Sequence, residues 1–267
     1  MKKLLILLTL AFASHVHSTP IETDSMDIIF KTALQKINQH GAENVLIVFD
    51  IDNTLLTANQ DFSSYAWNLW QKKLIKEKLP HSITDSMNKF YKIENVLFSM
   101  GNMHTPEEFI ANSIKELQSS GVSVIALTSR GPQMRSTTER VLKNNTLSFN
   151  NVSFNKGFPG AYTPKYGKGR SVSFQNGIYM TAGQNKGLML KDLLERVNKD
   201  YKSIIFTDDL SKHTIHMEEV FEYMGEDIVT FRYGKMDKQI KEFNEKNKRE
   251  VVKQWQNLRK VWKDIFD

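Results

Sequence analysis

The chain has 267 residues, carries a formal net charge of +6 and contains no cysteine. This length suits one domain with a sizeable core, or one domain that carries an insertion. The positive charge is small and scattered, which is enough to attract anionic substrates but excludes a strong case for nucleic-acid binding. The absence of cysteine excludes a disulfide framework.

The N-terminus has the pattern of a secretory signal peptide. Two lysines precede an apolar run over residues 4–13, which correspond to the basic and hydrophobic parts of such a peptide. We predict a signal peptide over residues 1–18, cleaved after Ala13 or Ser18. The run is too short for a confident membrane span, and we expect no stable span later in the chain. The predicted protein is therefore exported, either periplasmic or secreted, with an uncleaved N-terminal anchor as the alternative.

The next segment predicts a helix followed by a buried strand. Apolar residues recur at helical spacing over residues 23–39, and Gly41 ends that helix. The apolar run Val45–Phe49 then leads directly into Asp50 and Asp52, as in a strand buried on both faces. Open α/β sheets bind ligands at the carboxyl ends of their strands, and alternate residues point the same way. We therefore expect Asp50 and Asp52 to face one site, where Mg²⁺ offsets their repulsion.

Residues 58–105 differ in character, since they are polar and aromatic and lack strand-like apolar runs. We predict a helical cap in this segment, inserted into a core formed by residues 19–57 and 106–267. Thr105 and Pro106 then begin a helix that runs to Ser119, with Thr as the N-cap.

Further strands and helices alternate after the cap. A second strand over 122–127 ends in Thr128 and Ser129, and a helix follows over 132–143. Alternating apolar residues among glycines over about 149–183 predict a small β-hairpin flap. The short loop at 167–170 resembles a phosphate-binding loop only superficially, because the spacing of that motif is missing.

The last third of the chain predicts two more strands and a long helix. Lys186 lies at the start of a helix over 188–197, and a third strand over 202–207 ends in Asp208 and Asp209. A helix from about residue 211 and a strand over 228–231 follow. Apolar residues at helical spacing over 240–265 then predict one long C-terminal helix that packs on the sheet.

Three predicted strands thus place polar side chains at their carboxyl ends, with a lysine between the last two. A carboxylate beside Mg²⁺ is able to attack phosphorus, and a second carboxyl two residues later is able to move the proton of the leaving group. A hydroxyl, backbone N–H groups and a lysine would stabilise the phosphoryl oxygens. The final pair of aspartates would complete a site for a hard cation.

The order of these motifs resembles that of the haloacid dehalogenase (HAD) superfamily, and the version with two aspartates resembles its phosphatases. The motifs are Asp-x-Asp-x-Thr at 50–54, Thr-Ser-Arg at 128–130, Lys186 before a helix, and Asp208-Asp209. The exported form with a helical cap is similar to poorly characterised secreted members of this superfamily from intracellular-living bacteria. The resemblance implies an α/β fold with a Rossmann-like core, a mostly parallel sheet and a C1-type cap at 58–105.

The resemblance also implies a role for each motif residue. Asp50 would be the nucleophile and a metal ligand, and Asp52 the general acid and base with its backbone carbonyl on Mg²⁺. Thr128 and Ser129 would contact the phosphoryl group of a small phosphorylated substrate, and Lys186 would steady both this group and the nucleophile. Asp208 would bind the metal, with Asp209 as a direct or water-mediated helper. The hairpin lies where C2-type caps occur but is small for one.

Several alternatives remain open from the sequence. A phosphotransferase would use the same site with an acceptor alcohol in place of water. A secreted binding or host-interaction protein, with a host-cell partner, would keep the fold and lose turnover, although no motif is damaged. A structural protein that only binds metal would need neither Thr128 nor Lys186. His213 and His216, three residues apart on a predicted helix, are either ligands for a softer metal or ordinary surface histidines.

Overall fold

The structure, a computed structural model, describes residues 19–152, 154 and 160–266. The predicted signal peptide lies outside the described residues, as does part of the predicted hairpin flap (153 and 155–159). Helices and strands alternate along most of the described chain. The helices are α1 (Met26–His40), α2 (Tyr65–Glu77), α3 (Met87–Met100), α4 (Ile110–Ser119), α5 (Arg135–Asn144), α6 (Lys186–Val197), α7 (Ser211–Tyr223), α8 (Asp237–Glu245) and α9 (Arg249–Phe266). The strands are β1 (Ile21–Thr23), β2 (Val45–Phe49), β3 (Thr57–Ala58), β4 (Met103–His104), β5 (Ser123–Thr128), β6 (Ser173–Gln175), β7 (Ile178–Met180), β8 (Ser203–Asp208) and β9 (Asp227–Tyr233).

Seven of these strands form one mostly parallel sheet, so the fold is the expected α/β class with a Rossmann-like arrangement. The strand order is β1-β9-β8-β2-β5-β7-β6, and only β6 runs antiparallel to its neighbour. From β2 the chain moves first to β5 on one side and later to β8 on the other. The point beside β2 where the order reverses is the place where open α/β sheets bind ligands, outside the carboxyl ends of the strands.

Helices cover both faces of the sheet, because successive residues of a strand point to opposite sides. Val45, Ile47 and Phe49 of β2 pack with α1, α4 and α5 in one apolar cluster. Leu46 and Val48 pack with α6 and α7 in another. All five residues of β2 are buried, as the continuous apolar run predicts for a central parallel strand.

A third apolar cluster joins the helices of segment 58–105 to the C-terminal helices, and the prediction for the C-terminus was wrong here. Trp67 on α2 and Phe90 on α3 share this cluster with Phe243 and Val251. The expected single helix is two helices, α8 and α9, and their apolar face packs on α2 and α3 instead of on the sheet. Amphipathic spacing identifies an apolar face but does not identify the surface that the face covers.

The predicted hairpin exists as β6 and β7, but it extends the main sheet instead of forming a separate flap. Ala126–Thr128 of β5 pair in parallel with Ile178–Met180 of β7. Asn176 and Gly177 both have positive φ angles, 53° and 68°, as a two-residue hairpin turn requires. A Cβ atom at Gly177 would lie 2.0 Å from the backbone oxygen of Phe149, so only glycine fits this turn.

Two other elements differ from the sequence-based expectation. β1 is a three-residue edge strand that pairs in parallel with β9, and its length is too short for a periodic pattern. α4 begins at Ile110, later than the predicted start at Thr105 and Pro106. Within the described residues, none of the helices combines the length and the apolar character needed to cross a membrane.

Candidate active site

A cavity of about 1370 Å³ lies at the carboxyl ends of the central strands. One side, called here the strand-end side, consists of residues that follow β2, β5 and β8. The other, called here the helical side, consists of residues from α2, α3 and α9. The predicted residues Asp50, Asp52, Ser129 and Asp209 line the cavity. The other predicted residues, Thr128, Lys186 and Asp208, are fully buried beside them.

Lys186 joins the aspartates of two strands. Its Nζ lies 2.5 Å from Oδ1 of Asp50 and 2.5 Å from Oδ2 of Asp208. Asp50 is held in place by its own backbone N–H, which donates to the carbonyl of Thr207 at 2.9 Å and thereby continues the ladder between β2 and β8. The structure therefore brings together three residues that are far apart in sequence and that were predicted to share one site.

The position of Lys186 depends on how α6 begins. Asn185 caps the helix, since its side chain accepts a hydrogen bond from the backbone of Leu188 at 3.0 Å. Gly187 lies against α7, where an added Cβ atom would be 2.4 Å from the carbonyl oxygen of His216. The absence of a side chain at Gly187 thus lets the start of α6 approach α7, which also carries His213, a partner of Asp208.

Burial and mutual repulsion shift the pKa values of these groups. Burial raises the pKa of Asp50 to about 7, with Asp208 and Asp52 adding to the rise and Lys186 opposing it. Burial lowers the pKa of Lys186, but Asp208 and Asp50 more than reverse this effect and raise it above its ordinary value. Burial favours protonation of Asp208, yet Lys186 and His213 hold its pKa below the ordinary value.

Asp209 adds a third buried carboxylate to the site. Nδ2 of Asn53 donates to its Oδ2 at 3.3 Å, from a residue whose backbone is in the left-handed region with φ 59°. Burial, with Asp50 and Asp208 nearby, raises the pKa of Asp209 to about 9. Asn tolerates this backbone conformation better than most residues, and the turn that it permits brings the Asn53 amide to Asp209.

The donor set fits a hard divalent cation such as Mg²⁺. One carboxylate oxygen from each of Asp50, Asp208 and Asp209 lies within 4.8 Å of the other two, and all three residues are buried. Oxygen donors are the ligands that Mg²⁺ prefers. Lys186 supplies a single positive charge to three carboxylates, so a cation would relieve the repulsion that raises the pKa values of Asp50 and Asp209.

Asp52 lines the same cavity but its carboxylate does not join this cluster. Both of its oxygens accept hydrogen bonds from Arg130, from Nε at 2.9 Å and from Nη2 at 2.6 Å. The chain leaves the extended conformation after β2, so simple alternation along a strand does not decide where Asp52 points. The metal contact predicted for Asp52 concerned its backbone carbonyl, and that contact stays a prediction.

Thr128 and Ser129 occupy different positions at the end of β5. Oγ1 of Thr128 accepts a hydrogen bond from the backbone N–H of Arg130 at 3.2 Å, and the side chain is fully buried. Ser129 reaches the cavity wall. Thr128 is therefore buried beside the cavity, and Ser129 is the residue that presents the end of β5 to it.

The two histidines do not act as a pair. Nδ1 of His213 lies 3.0 Å from both carboxylate oxygens of Asp208, and this side chain lines the cavity. Nδ1 of His216 is buried and has no hydrogen-bond partner among the described residues. Burial lowers the pKa of His213, and its hydrogen bond to Asp208 opposes this shift. His213 therefore supports a carboxylate of the site, and the softer-metal interpretation receives no second ligand from His216.

Two further residues reach the site although no role was predicted for either of them, Tyr65 from the helical segment and Arg130 from the Thr-Ser-Arg motif. Tyr65, the first residue of α2, lines the cavity, and burial together with Asp209 and Asp50 raises its pKa above the ordinary value. Arg130 follows Thr128 and Ser129 directly, but its partner Asp52 is 78 positions away. A lone arginine or tyrosine is common on any surface, so only the folded arrangement identifies these two.

The family model described as "Protein of unknown function (DUF2608)" matches residues 22–265, which includes the sheet, the helical segment 58–105 and every residue of the site. No curated protein sequence matches the chain. Because the match extends over most of the chain, this protein belongs to the DUF2608 family.

Proposed function

We propose that this DUF2608 protein is a Mg²⁺-dependent phosphomonoesterase of the HAD type, which acts through an aspartyl-phosphate intermediate. The observation that carries the proposal is the buried bridge from Lys186 to Asp50 and Asp208, with Asp209 beside it at the end of the central strands. These residues come from three of the four motifs whose order resembles that superfamily.

In the first step, a carboxylate oxygen of Asp50 attacks the phosphorus atom of the ester. A bond forms between Asp50 and phosphorus, and the bond from phosphorus to the alcohol oxygen breaks. Asp52, in its protonated form, gives its proton to that oxygen, so the alcohol leaves as a neutral molecule. Asp50 and Asp52 both line the cavity, as the roles of nucleophile and proton donor require.

In the second step, water attacks the phosphorus atom of phosphorylated Asp50. Asp52, now a carboxylate, accepts the proton of that water, and the bond between phosphorus and Asp50 breaks. Inorganic phosphate leaves, Asp50 regains its carboxylate, and Asp52 regains the proton it gave in the first step. The net reaction consumes one water for each ester.

Positive charge and hydrogen-bond donors would stabilise the phosphoryl oxygens during both steps. Lys186 supplies a fixed ammonium group next to Asp50, and Ser129, which lines the cavity, would supply a donor at the end of β5, with Thr128 buried beside it. Donors fixed in place before the reaction lower the barrier without reorganisation. Mg²⁺, held by Asp50, Asp208 and Asp209, would offset the negative charge shared by the nucleophile and the phosphate.

The substrate in this proposal is a small phosphorylated molecule. The cavity, at about 1370 Å³, is larger than the roughly 300–1,000 Å³ typical of small-molecule sites, so it has room for an organic group beside the phosphate. Its helical side, from α2, α3 and α9, would contact that organic group and set specificity.

We also propose that the chain is exported, because two lysines and a short apolar run begin the sequence. The mass of the protein recovered from the periplasm or medium of an expressing bacterium would locate the cleavage site. Recovery of the full-length chain from the cytoplasm alone would contradict export and leave the enzymatic proposal untouched.

Hydrolysis of p-nitrophenyl phosphate tests the proposed activity, with the protein alone, with Mg²⁺ and with a chelator. We expect Mg²⁺-dependent release of phosphate that falls by at least about a thousandfold in Asp50→Asn, because the nucleophile is lost. Asp85→Asn is the matched control, since Asp85 is an exposed acid that pairs only with its neighbours on α3 and the preceding turn.

A beryllium fluoride complex of Asp50 gives an independent test, because it imitates the phosphorylated carboxylate. Turnover that is equal in Asp50→Asn and the unaltered protein would overturn the mechanism. Absence of turnover together with absence of the beryllium fluoride complex would overturn the enzymatic proposal and favour a binding protein. Faster release of the alcohol than of phosphate when an acceptor alcohol is added would identify a phosphotransferase.

A further inference from the structure

Arg130 is buried to an unusual degree for an arginine beside a cavity, since only 4% of its side chain is exposed. Its partner Asp52 is 35% exposed and faces the cavity. Two nearly parallel hydrogen bonds, at 2.9 and 2.6 Å, join the guanidinium to both carboxylate oxygens. A bidentate pair of this kind fixes the orientation of the carboxylate as well as its distance.

The guanidinium is itself held from two separate parts of the molecule. Nη1 donates to Oγ1 of Thr138 on α5, at 3.1 Å, and Thr138 belongs to the core. On the other side the guanidinium lies 4.0 Å from the ring centroid of Phe98 on α3, and Nη2 lies 3.5 Å from Sδ of Met103. Phe98 and Met103 both belong to segment 58–105, so Arg130 connects this segment to Asp52, the proposed proton donor.

These contacts leave Arg130 little capacity to bind a substrate. Of the five N–H donors of a guanidinium, two go to Asp52, one to Thr138 and one to Met103. One face of its plane is covered by Phe98. The carboxylate of Asp52, by contrast, keeps lone pairs that Arg130 does not use, because two carboxylate oxygens offer about four acceptor sites.

We propose that Arg130 is a positioning residue that sets the proton-transfer geometry of Asp52, and that Phe98 of the helical segment holds Arg130 in the orientation this requires. The inference rests on the proposed function, since it concerns the proton that Asp52 gives to the leaving group. Segment 58–105 would then affect proton transfer by Asp52 through its contact with Arg130, without touching the substrate.

Proton transfer is sensitive to small displacements, because the donor must lie within hydrogen-bond reach of the leaving oxygen. A displacement of about 1 Å caused far from the chemistry is enough to cost about a hundredfold in rate. Loss of Arg130 or of the ring of Phe98 would therefore slow the reaction most when the leaving alcohol needs a proton, and least when it departs readily as an anion.

The test compares two esters, p-nitrophenyl phosphate and phenyl phosphate, at saturating Mg²⁺. p-Nitrophenol is the more acidic alcohol, so its release depends less on a proton from Asp52. We expect Asp52→Asn and Arg130→Met to lower the ratio of kcat/KM for phenyl phosphate to that for p-nitrophenyl phosphate by at least about tenfold, since general acid catalysis contributes about 10²–10⁴-fold. Arg130→Lys would restore part of the ratio, and Phe98→Leu would lower it by a smaller factor.

Arg135→Lys is the matched control, because Arg135 is a half-buried arginine at the start of α5 that hydrogen-bonds β6 and β7 instead of Asp52. It would change both rates in proportion. Equal losses on both esters in Arg130→Met would overturn the inference, since a purely structural role acts on all substrates alike. If Arg130→Met does not fold, the ratio of kcat/KM for the two esters is measured in Arg130→Lys and Phe98→Leu instead.

Failure of the proposed function gives a different result from failure of this inference. In the first case the unaltered protein hydrolyses neither ester, and this result overturns both the proposed function and the inference about Arg130. In the second case it hydrolyses both esters, and the ratio stays the same in the variants at Arg130 and Phe98 while it falls in Asp52→Asn.

Discussion

On the strand-end side of the cavity, Lys186 is fully buried between Asp50 and Asp208. On the helical side, Lys72 of α2 pairs with Glu94 of α3 at 3.1 Å, and their side chains are 34% and 17% exposed. Both pairs join two elements of structure, but only the second keeps access to water. Buried charges depend on each other because removal of one leaves its partner without compensation, whereas water replaces a lost partner at an exposed site. The stability of the strand-end side thus depends on its buried charges. The helical side should tolerate the loss of a charged residue, because its ion pair is open to water.

The largest difference between the two sides is expected from Lys186→Met. We expect a loss of about 3–5 kcal/mol in the free energy of unfolding without metal, because Asp50 and Asp208 would lose their buried counter-charge. Urea denaturation measures this loss. Lys165→Met, which breaks an exposed pair with Glu195, is the control and should cost much less, because water replaces the lost partner. Equal losses in the two variants would show that burial does not distinguish these pairs.

A second prediction concerns pH and Asp209, whose pKa rises from an ordinary value of 3.8 to about 9. A carboxyl with a raised pKa binds its proton more tightly in the folded state. Its contribution to stability is therefore complete below about pH 4 and is lost as the pH rises toward 9. Asp50, whose pKa rises to about 7, contributes to the same loss, whereas Asp208, whose pKa is lowered, titrates below this window.

We expect the metal-free protein to lose at least about 1.4 kcal/mol of stability across that window, the equivalent of one pKa unit. Asp209→Asn should flatten the loss, and Mg²⁺ should stabilise the protein more at high pH, where the carboxylates are free of protons. Urea denaturation at a series of pH values measures both effects. A slope that is unchanged in Asp209→Asn would contradict the assignment to this residue.

The smallest effect is expected from Lys72→Met on the helical side. We expect a change of about 0–1 kcal/mol in the free energy of unfolding, because the pair is partly exposed to water. Burial raises the pKa of Glu94, and Lys72 opposes this rise, so the variant removes an interaction that favours the charged carboxylate. Thermal or urea unfolding beside Lys186→Met measures the contrast, and a loss as large as that of Lys186→Met would show that the two sides do not differ.

The same division explains what the sequence alone was able to predict. The strand-end residues Asp50, Thr128 and Asp208 follow continuous apolar runs, and parallel strands bring their carboxyl ends to one edge of the sheet. Lys186 was identified by its place before a helix, and the close packing that Gly187 permits brings it into contact with both aspartates. The α/β fold followed from the same runs.

The residues that the sequence did not predict depend on contacts between distant segments. Arg130 takes its importance from Asp52, Thr138 and Phe98, which come from three different elements. Likewise, the apolar face of α9 was visible in the pattern of the sequence, but its partners α2 and α3 were not. A periodic pattern predicts which residues of a helix are buried. It does not predict which other element covers them, because that depends on the fold of the whole chain.

The pairing of β1 with β9 has a consequence for the order in which this chain folds. The first described strand of the sheet completes its hydrogen bonds only with the last strand, through pairs such as Ile21 with Phe231. Almost the whole polypeptide must leave the ribosome before this edge is able to form. Pairings between distant parts of a chain also form slowly, because loop closure opposes them until late in folding. The edge of the sheet that β1 forms is therefore expected to be the last to complete its hydrogen bonds after synthesis.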